Sequence, residues 1–291
     1  MRKFHGTGTA LVTPFDRQGE IDYTALRKLI RLQLEGKVDF LVVQGTTGES
    51  PTLDQKEKMQ VLETVLEENA GQLPVVYGLG GNNTRQISAM MREFEGKVDG
   101  LLSVSPYYNK PTQAGIVQHY TQLAEATDLP IILYNVPGRT GSNVSAETTL
   151  KLAEIKNIVA MKEASGDFDQ IMEIIRCKPE GFSLLSGDDA ITLPMIASGA
   201  EGVISVVSNA LPEKFAKMVR EALAGNLGEA RKIHYELLPI TRLFFAEGNP
   251  GGVKIGLSAR KIMEGNLRLP LFPVSEELSS RINEEMFRLL E

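Results

Sequence analysis

Ile158-Val159-Ala160-Met161 is a run of apolar residues that stops abruptly on Lys162-Glu163. It lacks the polar alternation of a strand with one wet face and reads instead as a strand of a parallel sheet, buried on both sides. Working outward, the same character returns at 8–13, 38–43, 73–78, 98–104, 130–134, 182–185 and 202–206, which makes eight runs. The first several lie roughly 25 to 35 residues apart, the length of a βα unit. Between them, helical patterns open on Asp22, Asp54 and Asn83 and meet glycines at 36, 71 and 96. The pentapeptide Glu-Gly-Lys-Val-Asp occurs at 35–39 and again at 95–99, each time leading into a run, which supports repetition. The expectation is an α/β chain with a (β/α)8 TIM barrel over residues 1–224.

An open, doubly wound sheet is the structural rival. It usually has fewer strands and often carries a Gly-x-Gly-x-x-Gly fingerprint. Neither Gly6-Thr7-Gly8 nor Gly78-Leu79-Gly80-Gly81 completes that pattern, and no Gly-Lys-Ser/Thr follows a run. The segment 212–224 supplies the last outer helix. The helical patterns at 227–247, 251–263 and 275–291 exceed what a barrel needs, so 225–291 is expected to be a three-helix C-terminal appendage. Pro270-Leu271-Phe272-Pro273 punctuates it, and the appendage is not an obvious binding module.

Composition narrows the function. A net charge of −6 and the lack of a long Lys/Arg run argue against nucleic acid as partner. A single cysteine, Cys177, and three scattered histidines, His5, His119 and His234, show no metal-ligand spacing. The start, Met1-Arg2-Lys3-Phe4-His5, lacks the apolar stretch of a signal peptide, and no run is long enough to span a bilayer. The expectation is a cytoplasmic protein without a structural metal or a membrane partner.

In barrels of this kind, chemistry sits where strands end. The sixth run delivers Lys162 to that rim, where loss of water disfavours an ammonium and leaves neutral amine to attack a carbonyl. Alternatively, Lys162 simply pairs with a neighbouring carboxylate. The fifth run ends Tyr134-Asn135-Val136-Pro137-Gly138-Arg139-Thr140, setting a phenol suited to proton transfer near a guanidinium suited to a carboxylate. A buried ring and a loop salt bridge are the plainer readings. The second run ends Gln44-Gly45-Thr46-Thr47-Gly48-Glu49-Ser50, a loop of small hydroxyls and amides. Ser105-Pro106-Tyr107-Tyr108-Asn109 follows the fourth run, and Ser186-Gly187-Asp188-Asp189 after the seventh reads as a cap for the next helix. Ser198-Gly199-Ala200-Glu201-Gly202 is a weak echo of a phosphate-seating loop.

Together, 45–50, 107–109, 134–140, 162–164 and 186–189 closely resemble the dihydrodipicolinate synthase family, also called 4-hydroxy-tetrahydrodipicolinate synthases, which are pyruvate-dependent class I aldolases. The resemblance spans the whole chain. It implies that Lys162 forms an imine with pyruvate and that the derived enamine attacks L-aspartate 4-semialdehyde, with no cofactor. Tyr134, Thr46 and Tyr108 would relay protons, Tyr108 resembling the tyrosine that reaches a neighbouring subunit's site. A homo-oligomer follows, as a dimer or a homotetrameric dimer of dimers. Thr47 would hold the pyruvate carboxylate and Arg139 that of the second substrate, with Gly187 and Ile204 lining the pocket through backbone groups. Sugar-cleaving relatives such as N-acetylneuraminate lyase and keto-deoxy-sugar aldolases share the lysine and tyrosine, but Arg139 suits a short substrate carrying its own carboxylate. A non-catalytic keto-acid sensor is the rival from another class, and the full set of polar strand ends argues against it.

The family's feedback site for lysine is matched at Ser50, Asn82 and Tyr107 but departs from the pattern at Gln55, Lys58 and Gln86. A cation in place of a neutral residue, and an amide in place of a carboxylate, weaken attraction for a cationic amino acid. Inhibition by lysine is therefore expected to be weak or absent. Activity assayed against millimolar lysine checks this, and strong inhibition would contradict it.

Overall fold

The computed structural model describes residues 4–291, so Met1–Lys3, which contributed to the reading of the N-terminus, lie outside the described residues. Eight strands form a closed parallel barrel in chain order: β1 (Gly6–Ala10), β2 (Phe40–Val43), β3 (Val75–Gly78), β4 (Gly100–Val104), β5 (Ile131–Asn135), β6 (Ile158–Glu163), β7 (Ser183–Ser186) and β8 (Gly202–Ser205). Closure is explicit, because β1 pairs with β2 on one side and with β8 on the other. Alternate residues face opposite ways. Phe40, Val42, Leu102, Ile132 and Leu185 fill the lumen, while Leu41, Val43, Leu101, Ile131 and Leu184 meet the surrounding helices. Burial on both faces is why the strands read as unbroken apolar runs.

Outside the barrel lie α1 (Tyr23–Glu35), α2 (Gln55–Asn69), α3 (Thr84–Arg92), α4 (Gln113–Ala124), the single turn α5 (Pro137–Thr140), α6 (Ala146–Ala153), α7 (Phe168–Cys177), α8 (Thr192–Ala197) and α9 (Pro212–Leu223). The cap residues read from sequence act as caps: Asp22, Asp54 and Asn83 accept from the amides of Ala25, Glu57 and Gln86. The pentapeptide echo also has a structural meaning. Asp39 accepts the Thr7 amide at 2.7 Å, and Asp99 accepts the Val75 amide at 2.7 Å, so each copy ends in an aspartate that ties its strand to the preceding one.

Many boundaries shift by a few residues from the sequence reading, and three of the shifts have a clear physical reason. The first strand ends at Ala10, because the Val12 amide donates to Asn209 Oδ1 instead of continuing the ladder. The sixth continues through Lys162 and Glu163, which keep register with Tyr134 and Asn135 on β5. Helix α3 stops at Arg92, before Gly96, and the chain turns so that Phe94 stacks on Tyr77 with ring centroids 4.9 Å apart.

The chain closes with α10 (Leu227–Phe245), α11 (Gly251–Ala259) and α12 (Glu276–Leu290). Helix α10 packs on α9, and α12 lies against both α10 and α11. No helix among the described residues is long and apolar enough to cross a membrane. This C-terminal region reaches the barrel rim through one buried ion pair, in which Lys254 of α11 places Nζ 2.5 Å from Glu49 Oε1 with both side chains fully buried. Lys254 also donates to the Asn266 carbonyl at 2.8 Å and sits over the Phe15 ring. Arg268 adds its backbone amide to Glu49 Oε2 at 3.1 Å. Glu49 itself adopts a left-handed conformation, φ 53°, directly after the Thr46–Gly48 turn.

Removing one member of a buried pair leaves an uncompensated charge, which costs about 3–5 kcal/mol. Lys254→Met is expected to lose roughly that much stability in urea unfolding, and the double variant Glu49→Gln/Lys254→Met to recover much of it. Equal losses in the single and double variants would show that the pair is not what holds the two regions together.

Candidate active site

The strand register sets Tyr134 of β5 beside Lys162 of β6, and the Lys162 Nζ lies 4.2 Å from the centre of the Tyr134 ring. Lys162 is 5% exposed. Its Nζ forms no ion pair with any described carboxylate, which removes the plainer reading of a strand-end lysine held by a salt bridge. The adjacent glutamate is not its partner. Glu163 points to the opposite face of the strand, where it accepts from the Asn135 side chain, the Ser165 amide and Gln170 at 2.6–3.1 Å. Burial pushes its carboxyl up, and those hydrogen bonds pull it back.

Gly187, just past β7, leaves the room that Lys162 occupies. A Cβ at that position would lie 2.8 Å from the Ala164 Cβ and 3.1 Å from the Lys162 Cγ. Asp188 acts as the expected cap, accepting the Ala190 amide at 2.9 Å. Asp189 turns inward instead. It is buried and accepts from the Ser205 hydroxyl and, at 3.0 Å, from the Val206 amide, tying the end of β7 to the end of β8. Burial pushes its carboxyl up to about 6, opposed by those two bonds and by the charge of Lys162.

Around the amine lies a cavity of about 460 Å³ lined by Lys162, Tyr134, Thr46, Thr47, Arg139 and Gly187 among others. Residues at the ends of four strands, β2, β5, β6 and β7, therefore meet in one place, a convergence of polar groups that marks enzyme sites in this architecture. The cavity's far wall comes from α10 and the turn after it, through Thr241, Arg242, Phe245 and Asn249. Sequence reading missed these, having taken the C-terminal helices for a region with no obvious binding role. Asn249 is buried, donates to Thr47 Oγ1 at 3.0 Å, and has no protein partner for its own Oδ1. Its contact spans 202 positions of chain, so no local pattern could have revealed it.

Other expected site residues are placed differently. Ile204 packs among the lumen residues and is absent from the cavity wall, where Val206 stands two residues on. Tyr108 is 88% exposed with φ 71° and does not line this chain's own cavity. Of the six effector-site residues, Ser50, Lys58 and Tyr107 line a second cavity of about 380 Å³ next to the first. Asn82 donates to the Tyr107 carbonyl at 3.1 Å, whereas Gln55 and Gln86 are exposed in the first turns of α2 and α3 and do not line it.

A family model described as the dihydrodipicolinate synthetase family matches residues 3–287. A 4-hydroxy-tetrahydrodipicolinate synthase from Parabacteroides distasonis is 48% identical over 98% of this chain and 96% of its own length. One from Azobacteroides pseudotrichonymphae is 51% identical over 97% of each chain. The dihydrodipicolinate synthase structure from Thermotoga maritima superposes with a TM-score of 0.96 at 42% identity, covering 98% of both chains. Matches of this extent join the barrel and its lysine-bearing rim to one lineage: the chain belongs to the dihydrodipicolinate synthetase family.

Proposed function

We propose that the chain is a 4-hydroxy-tetrahydrodipicolinate synthase that condenses pyruvate with L-aspartate 4-semialdehyde through a Schiff base on Lys162, the first committed step of the diaminopimelate route to lysine. The observation that carries this reading is the buried Lys162 amine, free of any described carboxylate and set against Tyr134 at the mouth of the barrel. The amine adds to the pyruvate ketone, and loss of water leaves an imine. Loss of a proton from the methyl carbon then gives an enamine, whose carbon attacks the aldehyde. Cyclisation by the second substrate's amine releases Lys162 for another turnover.

In this reading Tyr134, Thr46 and Tyr108 move protons between the imine and solvent. The exposure of Tyr108 fits a residue that serves the site of a second copy, in a dimer or a dimer of dimers. Thr47, oriented by Asn249, binds the pyruvate carboxylate, and the Arg139 fork takes the carboxylate of the semialdehyde. Gly187 contributes backbone groups from the cavity wall, and Ile204, whose side chain lies in the lumen, contributes only its backbone. No cofactor is required, and the reaction suits a cytoplasmic enzyme. The segment 225–291 acts as an appendage that walls the site and anchors the 46–50 loop.

Borohydride reduction in the presence of pyruvate, followed by peptide mass analysis, tests the mechanism. A pyruvyl adduct is expected on Lys162, while Lys162→Ala should fold, give no adduct and lose nearly all synthase activity. Absence of an adduct on every lysine would defeat the reading. For the second substrate, Arg139→Lys keeps the charge but removes the planar fork. It is expected to lower kcat/KM for the semialdehyde by about 10- to 100-fold while leaving pyruvate trapping intact. Equal loss of both would place Arg139 elsewhere in the reaction.

A further inference from the structure

Beyond the end of β7 lies a buried carboxylate that the reaction as described does not use. Asp189 is 3% exposed and opens the turn Asp189–Ile191. Both of its oxygens are met from the end of β8, by the Ser205 hydroxyl and, at 3.0 Å, by the Val206 amide. Ser205 is itself fixed, because its Oγ accepts the Ser208 amide at 2.9 Å. The Ser208 Oγ in turn lies 2.8 Å from Thr9 Oγ1 of β1, which donates to Gln33 of α1 at 2.9 Å. The carboxylate therefore ends a buried polar chain that runs across β8 and β1 to the outer helices, and it is not free to swing into solvent. A neutral acceptor could take the same two bonds, so the tie between β7 and β8 does not by itself explain a buried charge.

The charges around Asp189 are few. Burial pushes its carboxyl up to about 6, which leaves it ionised at neutral pH, and the cation whose charge acts on it is Lys162. No described lysine or arginine makes an ion pair with it. Neither α8 nor β8 carries a titratable side chain, while α10, which packs on the turn, brings the exposed Arg242 to the cavity wall. Asp188 is the one like charge on the same turn. It lines the cavity half-buried, with its carboxylate held by the Ala190 amide, so water screens it as it cannot screen Asp189. On its other side the Lys162 nitrogen meets the Tyr134 ring, which offers a quadrupole and not a full charge.

We propose that Asp189 is a positioning residue that fixes the β8 wall of the cavity and serves as the counter-charge for the protonated imine on Lys162. The imine withdraws electrons from the pyruvate methyl carbon only while its nitrogen carries a proton. When the methyl proton leaves to a base, the C–H pair becomes the new carbon–carbon double bond and the imine π pair moves onto nitrogen, giving the neutral enamine. A fixed anion close to the nitrogen keeps the imine protonated at working pH. The bonds from Ser205 and Val206 hold that anion back from pairing directly with the amine and removing it from chemistry. The inference rests on the Schiff-base reading above and names the group that supports its cationic intermediate.

Exchange of the pyruvate methyl protons for deuterium, followed by NMR across a pH series without semialdehyde, reads the protonated imine directly. Exchange by the unaltered enzyme is expected to fall on the alkaline side, where the imine loses its proton. Because a neighbouring anion favours the protonated form, Asp189→Asn should bring that fall about one pH unit lower, making exchange about tenfold slower on the alkaline side. Ser205→Ala keeps the charge and loosens the tie, so it should slow exchange without moving the fall. Asp188→Asn, which removes a screened charge, should move it much less than Asp189→Asn does. An alkaline fall unmoved in Asp189→Asn would overturn the proposal, as would an equal shift in Ser205→Ala or Asp188→Asn. Should Asp189→Asn fold poorly, Asp189→Ser removes the same charge and is held to the same expectation. No exchange and no pyruvyl adduct in the unaltered enzyme would refute the Schiff-base reading and this inference together, whereas an adduct with an unmoved fall would refute this inference alone.

Discussion

Closing eight parallel strands on themselves leaves polar side chains one way out of the core, at the rim where the strands end. Everything that follows depends on that constraint. The lumen is filled by residues such as Phe40, Val42 and Ile132, so an inward-facing lysine lower in the barrel would be a buried charge without a partner. At the last inward position of β6 the same side chain meets a ring face and a cavity instead. The ring's electron-rich face tolerates an ammonium without tying it up as a carboxylate would, which leaves the amine available for chemistry.

The rim needs support that the barrel does not provide alone. The Thr46–Gly48 turn is held from several sides, by Thr13 bonding to the Gly48 carbonyl, by Asn249 on Thr47, and by Lys254 and Arg268 on Glu49. Loop residues positioned in this way can hold a substrate group to the tolerance catalysis demands, because their rotamers are set by partners rather than by solvent. The C-terminal helices therefore form part of the framework of the cavity around Lys162. Asp189 plays a similar part on the opposite side, linking the ends of β7 and β8 through Ser205 and Val206.

Legibility in the sequence followed the range of the interactions. Helix starts at Asp22, Asp54 and Asn83 were readable because a cap bonds three residues ahead. The length of β6 was not, since two charged residues look like a strand's end unless the neighbouring strands are known to continue beside them. Asp188 and Asp189 looked equivalent as a capping pair. One caps, and the other is turned into the core by partners sixteen and seventeen positions away. Gln44 is the sharpest example: as a residue at a run's end it carried no signal, and only the fold gives it a left-handed backbone and a buried amide.

By itself the sequence determined a parallel sheet covered by helices, because unbroken apolar runs at regular spacing bury both faces in that way, and eight runs without a dinucleotide fingerprint pointed to a barrel rather than an open sheet. It also placed the chemistry-bearing residues at the strand ends, since a charge that interrupts such a run has nowhere else to go. Tertiary structure alone decided which of those residues share a cavity, that Lys162 is free of Glu163, and that Ile204 packs in the lumen while Asn249 reaches Thr47. The physical reason is the same in each case. Hydrophobic periodicity is written along the chain, whereas a partner brought close by the tertiary fold is separated from its contact by as many as 202 residues, as for Asn249 and Thr47, and leaves no local trace.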